Sequence, residues 1–221
     1  MKHALSTLTL FLFTSVLVAQ PTFTEHVIST SADGLRSVYA ADVDGDGDMD
    51  ILSASANVDK IAWHENDGSE GFTEHAISTS TDGARSVYAV DVDGDGDMDV
   101  LSASQLDNKI AWYENDGSEN FTEHAISTSA NGAMSVHAAD VDGDGDMDVL
   151  SGSYHNDKIA WYENDGSENF TEHAISTSAD GAYSVFTADV DGDGDMDVLS
   201  ASYLGSKIAW YENDGSESFT E

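Results

Sequence analysis

The chain has no cysteine and a single proline among its 221 residues. Without cysteine there are no disulfide staples, no zinc–thiolate sites and no cysteine nucleophile. The lone Pro21 lies ahead of the repeated part of the chain. Basic residues are scarce: 7 lysines and arginines stand against 43 acids, a formal charge of −36. Such a surface repels phosphate and argues against nucleic acid as a partner. It fits an exported protein kept soluble in a salty medium. Beyond the first twenty residues no run is apolar enough to span a bilayer.

Those first residues have a layout of their own. Lys2 gives a positive start, and Leu8 to Ala19 is apolar apart from Thr9, Thr14 and Ser15. This is the plan of a secretory signal peptide, and it is too short for a membrane helix. The expectation is a leader at 1–19, export, and a mature region at 20–221.

What the chain has in abundance is aspartate at fixed spacing. Asp42-Val43-Asp44-Gly45-Asp46-Gly47-Asp48-Met49-Asp50 sets five carboxylates on alternate positions, with two glycines between them. The same nine letters return at 91–99, 140–148 and 189–197, always 49 residues on. Calcium takes six to eight hard oxygen ligands, mostly carboxylates and carbonyls. In the first loop Asp42, Asp44 and Asp46 would point inward, Asp48 would offer its carbonyl, and Asp50 would close the shell. The equivalent sets are Asp91, Asp93, Asp95, Asp97 and Asp99; Asp140, Asp142, Asp144, Asp146 and Asp148; and Asp189, Asp191, Asp193, Asp195 and Asp197. Glycine lets the chain curl at positive φ.

Charge points the same way. Carboxylates a few Å apart repel by roughly 0.5–1 kcal/mol per pair even in water, so the loop without a cation would resist folding. About four ions, one per repeat, would bring −36 to −28. An EF-hand is excluded, because position 12 is Ser53 and the flanks are β-like. The glycine-rich nonapeptide of calcium β-helices is absent. Magnesium fits less well, since it prefers few protein ligands and many waters.

Internal repetition sets the fold. Phe23, Phe72, Phe121, Phe170 and Phe219 share one register, as do Trp63, Trp112, Trp161 and Trp210. In the second unit the expected strands are 86–90, 99–103, 109–113 and 121–126, with an Asn-Asp-Gly turn at 115–117. Connections this short make successive strands antiparallel neighbours. A four-stranded unit cannot bury its own faces, and radial stacking into an all-β propeller solves that. No 3.6-residue period supports helices. A solenoid of stacked calcium turns is the runner-up, with rungs usually about half this length.

The D-x-D-G-D-G-x-x-D loop, the D-V-L-S strand after it, and the later I-A-W-Y-E-N and F-T-E-H together resemble the FG-GAP/VCBS repeat of secreted bacterial proteins and, in related form, the integrin α-subunit propeller. The resemblance covers about residues 23–221. It implies a β-propeller with calcium between the first and second strand of each blade, held by the aspartates just named. The family's propellers usually carry more blades than the four loops present here. Residues 23–29 read as a fourth strand with no blade before them, and the last blade keeps only Phe219, Thr220 and Glu221 of its own. Either the N-terminal strand closes a four-bladed ring beside Ile208 to Trp210, or the array is part of a larger propeller.

The differences between the repeats concentrate in two places. One is the loop from second to third strand, at Asn57, Leu106, His155 and Leu204; the other is the start of the first strand, at Arg36, Arg85, Met134 and Tyr183. Alternating strand direction puts both on one face, with the calcium loops on the other. The variable face would bind an extracellular protein or glycan; neutral drift in exposed loops is the bland alternative. Tyr39, Tyr88, His137 and Phe186 would line the axis. His26, His75, His124 and His173 fall on separate blades and so do not make one metal site. The four tryptophans suit packing between blades, and Lys60, Lys109, Lys158 and Lys207 would pair locally with aspartates. Identical carboxylates offer no split in pKa for acid–base catalysis, and no Ser-His-Asp or zinc signature stands out. The expectation is a secreted, noncatalytic calcium-binding module for binding or adhesion. A structural spacer, or an accessory domain of a larger secreted hydrolase, are the alternatives.

Overall fold

Each 49-residue unit folds as one four-stranded antiparallel meander, strands in chain order from the inside outwards. The computed structural model describes residues 23–216 and 218–221; the leader expected at 1–19 lies outside them. The first sheet contains β1 (Leu35–Ala41), β2 (Asp50–Ser55), β3 (Lys60–Asn66) and β4 (Phe72–Ser78). The second contains β5 (Ala84–Val90), β6 (Asp99–Ser104), β7 (Lys109–Asn115) and β8 (Phe121–Ser127). The third contains β9 (Ala133–Ala139), β10 (Asp148–Ser153), β11 (Lys158–Asn164) and β12 (Phe170–Ser176). The fourth contains β13 (Ala182–Ala188), β14 (Asp197–Ser202), β15 (Lys207–Asn213) and the two-residue β16 (Phe219–Thr220). No helix is present among the described residues.

The sequence of each strand follows from its depth. The second strand, D-V-L-S-A-S in β6, is buried along its whole length, because neighbouring sheets cover both of its faces. Small and branched residues suit that place, and the polar ones among them, Asp99, Ser102 and Ser104, are buried with the rest. The outermost strand, F-T-E-H-A-I-S in β8, exposes Thr122 and Glu123 and half-buries Phe121 and His124. The core runs between sheets: Trp63 and Ile61 of the first unit pack with Val87, Ala89, Val100 and Tyr113 of the second. The next two seams repeat this set. The tryptophans therefore act as wedges between blades, and Trp112 and Trp161 each meet the next blade's phenylalanine, Phe170 and Phe219, edge-on.

Along the inner strands, aromatic rings touch from blade to blade. Tyr39 and Tyr88 have centroids 4.7 Å apart, Tyr88 and His137 4.8 Å, and His137 and Phe186 4.6 Å. Farther out, His75, His124 and His173 each stack on their own blade's tryptophan and bond a glutamate, Glu65, Glu114 and Glu163, at 2.7–2.8 Å.

Two expectations need correction. The lysines pair chiefly with glutamates, not aspartates: Lys60–Glu74, Lys109–Glu123, Lys158–Glu172 and Lys207–Glu221 at 2.5–2.7 Å. In the first three blades the glutamate faces the fifth residue of the third strand (His64↔Glu74, Tyr113↔Glu123, Tyr162↔Glu172), and the long lysine side chain reaches along the sheet to it from the strand's first position; only Lys109 adds an aspartate, Asp107, at 3.6 Å. Residues 23–29 are not a strand. They run along the first blade, lining cavities with Val38, His64, Asn66 and Phe72. A strand needs an edge to pair with, and the edge at Ile208 to Trp210 stands open, with Ile208 86% exposed. The described residues thus form an open array of four blades rather than a closed four-bladed ring, which is consistent with part of a larger propeller.

Candidate metal centres and ligand face

Each aspartate loop links a first strand to a second, and the pairing Ala89↔Val100 and Val90↔Asp99 holds its two ends together. Within the loop both glycines take positive φ, 77° at Gly94 and 101° at Gly96. Nothing lies within 4 Å of where a Cβ would sit at either, so backbone conformation, not crowding, calls for glycine there.

The structure brings three of the five aspartates of each loop together. Asp42, Asp44 and Asp50 offer oxygens within 4.8 Å of one another, as do Asp91, Asp93 and Asp99; Asp140, Asp142 and Asp148; and Asp189, Asp191 and Asp197. Asp46, Asp95, Asp144 and Asp193 stand outside these triads, each accepting the N–H of the aspartate two residues on, at 2.8–3.0 Å. Asp48, Asp97, Asp146 and Asp195 point their carboxylates at the glycine of the Asn-Asp-Gly turn. A Cβ on Gly117, itself at φ +70°, would lie 2.4 Å from Asp97 Oδ2. The turn and the loop therefore pack as one body.

The closing aspartate is fully buried. Asp99 accepts the N–H of Asn115 at 2.7 Å and of Val92 at 3.0 Å, one on each oxygen. Burial nevertheless pushes Asp99 and Asp148 up to about 6. Asp44, Asp93 and Asp142 are raised too, by burial first and by neighbouring carboxylates after it, against one backbone donor each. In the first loop Asp42 Oδ1 is buried with no hydrogen-bond partner. Three converging hard oxygen donors, raised proton affinities and an orphaned carboxylate oxygen fit a calcium ion. The triads would hold it and the ion would cross-link loop to sheet.

One conserved-in-register residue escapes a reading centred on acids. The side-chain amides of Asn66, Asn115, Asn164 and Asn213 each donate to the carbonyl of the loop methionine, at 3.1–3.2 Å. The last three also reach back to the preceding blade's loop. The signal was its presence in all four repeats, next to the turn.

The variable residues gather on the opposite face. In every first strand the register slips by one residue at its start, between 35 and 37, 84 and 86, 133 and 135, and 182 and 184. The extra residue is Arg36, Arg85, Met134 or Tyr183. A bulge re-aims the side chain it carries, and all four line a single cavity of about 210 Å³ with Ser37, Ser135 and Ser184. Arg85 is also held by Gln105 through Nε at 2.8 Å. Burial, and then Arg36 nearby, lower its proton affinity. Asn57, Leu106, His155 and Leu204 do not enter that cavity; each lies against the glycine that precedes the first strand, Gly34, Gly83, Gly132 or Gly181. Tyr154 and Tyr203, one residue before His155 and Leu204, extend the face. Tyr203 lies 6.1 Å from Tyr183 and 6.4 Å from Tyr154, centroid to centroid. Their register was variable too, with Ala56 and Gln105 in the other repeats.

The family described as FG-GAP-like repeat matches four overlapping stretches, residues 6–53, 42–102, 91–151 and 140–200. No curated protein matches the chain in sequence. Among solved structures, an Agrocybe aegerita lectin described for specific recognition of non-reducing terminal N-acetylglucosamine is 18% identical, with a TM-score of 0.56 over 84% of this chain and 51% of that one. The V. cholerae biofilm matrix protein Bap1 is 24% identical, with a TM-score of 0.52 over 83% of this chain and 27% of that one. A Bacteroides uniformis chain provisionally assigned as a 6-phosphogluconolactonase is 16% identical, with a TM-score of 0.58 over 84% of this chain and 52% of that one. The chain spans about half the length of two of these structures and about a quarter of the third. The likeness lies in the fold.

Proposed function

From the premise that this chain belongs to the FG-GAP-like repeat family, we propose that it is a secreted, noncatalytic binding module, scaffolded by calcium, whose variable face takes an extracellular glycan. The observation that carries this reading is the convergence of the four bulged residues. Repeats alike almost everywhere else differ at Arg36, Arg85, Met134 and Tyr183, and those four side chains share one cavity. Because the first strands are innermost, these equivalent positions converge, and variation at them rewrites one shared surface.

The chemistry of the face suits a sugar. Arg36 and Arg85 are the chain's only arginines. Two guanidinium groups close enough to perturb one another are relieved by an acceptor such as a hydroxyl cluster or a carboxylate. Tyr183 and Tyr203 are largely exposed rings beside them, flat apolar surfaces with a polar tip. A lectin and a biofilm matrix protein among the structural neighbours accord with extracellular binding. Calcium takes no part in the contact; it holds the opposite end of each blade rigid. The last three loops share one hydrogen-bond scheme and the first departs from it only at Asp42 Oδ1, so the repeated carboxylates offer no pair set apart for acid and base roles.

The test is a glycan-array screen in calcium, followed by titration of each hit against a variant carrying Arg36→Ser, Arg85→Ser, Met134→Ser and Tyr183→Ser. Loss of binding with an unchanged melting temperature supports the proposal. Undiminished binding by the variant rejects this face as the site.

A further inference from the structure

The three seams inside the molecule are copies of one another, and its two outermost faces are the two halves of that same seam. At each internal seam an asparagine of the later blade donates to the loop valine carbonyl of the earlier one: Asn115 to Val43 at 3.1 Å, Asn164 to Val92 at 3.2 Å, Asn213 to Val141 at 2.9 Å. A serine hydroxyl of the earlier first strand accepts the N–H of the later valine: Ser37 from Val87, Ser86 from Val136, Ser135 from Val185, at 3.2–3.4 Å. The earlier blade's isoleucine and tryptophan close over the contact, and the inner rings touch across it.

The fourth blade presents the earlier half of this seam to solvent. Ile208 is 86% exposed where Ile61, Ile110 and Ile159 are fully buried, and Trp210 is 38% exposed where its counterparts are at 1%. Val190, equivalent to the deeply buried Val43, Val92 and Val141, is exposed as well. The first blade presents the later half. Val38 is 61% exposed where Val87, Val136 and Val185 are at 3–4%, and Leu35 is exposed where alanines are fully buried. Asn66 reaches one loop carbonyl, its own, whereas its three counterparts reach two. Among the described residues Ser184 accepts no valine N–H.

We propose that the fourth blade of one copy docks on the first blade of a second copy, and that two copies close head to tail into a ring of twice four blades. What covers each open face is thus stated by the molecule three times over. In the ring the partner's Asn66 donates to the Val190 carbonyl, Ser184 accepts the N–H of the partner's Val38, and Phe186 continues the ring stack onto the partner's Tyr39. Propellers close with roughly four to eight blades, and a two-fold ring uses the same contact twice. Two copies also reach the length of the propeller chains of which this one spans about half.

The outer strand completes the match. β16 pairs Asn213↔Phe219 and Glu212↔Thr220, then stops. In the first blade the same ladder continues Trp63↔His75, Ala62↔Ala76 and Ile61↔Ser78. Phe23-Thr24-Glu25 repeats Phe219-Thr220-Glu221, so the next register positions belong to the partner's His26 to Ser29. These residues already lie along the first blade, where the outer strand of a preceding blade belongs. The ring would pair Trp210 with the partner's His26. Net charge of −36 opposes the approach of two copies, but the meeting surfaces are apolar and calcium reduces the charge, so association strengthens with calcium and salt.

The experiment is mass in solution by light scattering behind size exclusion, in calcium, for the wild type and for Ile208→Asp and Val38→Asp. Both side chains are exposed in the single copy, so each variant keeps its strand circular dichroism. Twice the chain mass is expected for the wild type and the single-chain mass for each variant alone. An equimolar mixture of the two variants regains the double mass, because one seam then joins two intact halves. A wild type of single-chain mass overturns the proposal, whether its blades stay open or close on themselves. Variants that stay at double mass, or a mixture that fails to associate, overturn it equally.

Discussion

The side-chain amide of Asn115 donates to the backbone carbonyl of Val43, 72 residues earlier in the chain and one blade away. The same amide donates to the Met98 carbonyl of its own loop. One side chain therefore spans two successive aspartate loops from the buried side, while its main-chain N–H is bonded to Asp99. An ion bound in either loop would be felt by the other through this residue. No acid is involved, which is why a search for ligands passes it by.

Replacing Asn115 with alanine leaves two carbonyls without donors in a water-excluded seam. An unsatisfied buried polar group costs about 1–3 kcal/mol. The expected loss for Asn115→Ala is about 2–4 kcal/mol in total, a fall of roughly 5–15 °C in melting temperature for a chain this long. Asn66→Ala, which loses one bond at a more open site, destabilises a single copy less. Thermal melting in calcium, read by circular dichroism, compares them directly.

Chelation reverses the pH dependence of the loops. Asp99 and Asp148 are pushed up to about 6 by burial, above the ordinary aspartate value of 3.8. Without metal the folded state therefore binds more protons than the unfolded chain between pH about 4 and 6. Stability then rises as pH falls through 6, reaching its full extent below the unfolded value. With calcium bound the carboxylates must be ionised, and acid displaces the ion instead. Melting curves of a His137→Phe variant, which lacks that residue's opposing titration, check this at pH 7 and pH 5: chelated, it melts higher at pH 5; calcium-loaded, higher at pH 7.

His137 supplies an independent acid sensitivity. Burial in the ring stack lowers it to about 4, and its Nε2 lies 3.1 Å from Thr187 Oγ1. The unfolded chain takes up a proton near pH 6.5 that the folded chain refuses. Stability is intact above 6.5 and falls as pH drops toward 4, by at most about 3 kcal/mol. His137→Phe, which copies the fourth blade's Phe186, flattens this slope between pH 6.5 and 4 in saturating calcium, leaving the smaller part due to His64, which burial also lowers, and to loss of the ion. An unchanged slope in the variant assigns the sensitivity elsewhere.

Strand placement was legible because buried and exposed depths leave different patterns, and the 49-residue period fixed every register at once. In the second unit all four expected strands fall within β5 to β8 and lack only one or two residues at their ends. Three-dimensional pairing was less legible. A strand at 23–29 has the right letters, but strand structure depends on a neighbour, and no letter reports whether one is present. The aspartate partners expected for the lysines gave way to glutamates on the neighbouring strand, which the long lysine side chains reach across four residues of the sheet. The alternate spacing set Asp46 in the shell beside Asp42 and Asp44 and gave Asp48 a carbonyl role. Curling at two glycines turns Asp46 and Asp48 back onto the loop and the adjacent turn, which spacing alone does not disclose. The bulge that carries Arg36, Arg85, Met134 and Tyr183 was visible only as variation, not as a change of direction.

Since every seam joins the same two surfaces, a gene that gains or loses one 49-residue segment, at whatever point the cut falls, encodes a chain whose remaining contacts are all still matched. Array length is then free to change by unequal recombination without passing through a misfolded ancestor. The four inner bulges, meanwhile, can each acquire a new side chain independently of that count.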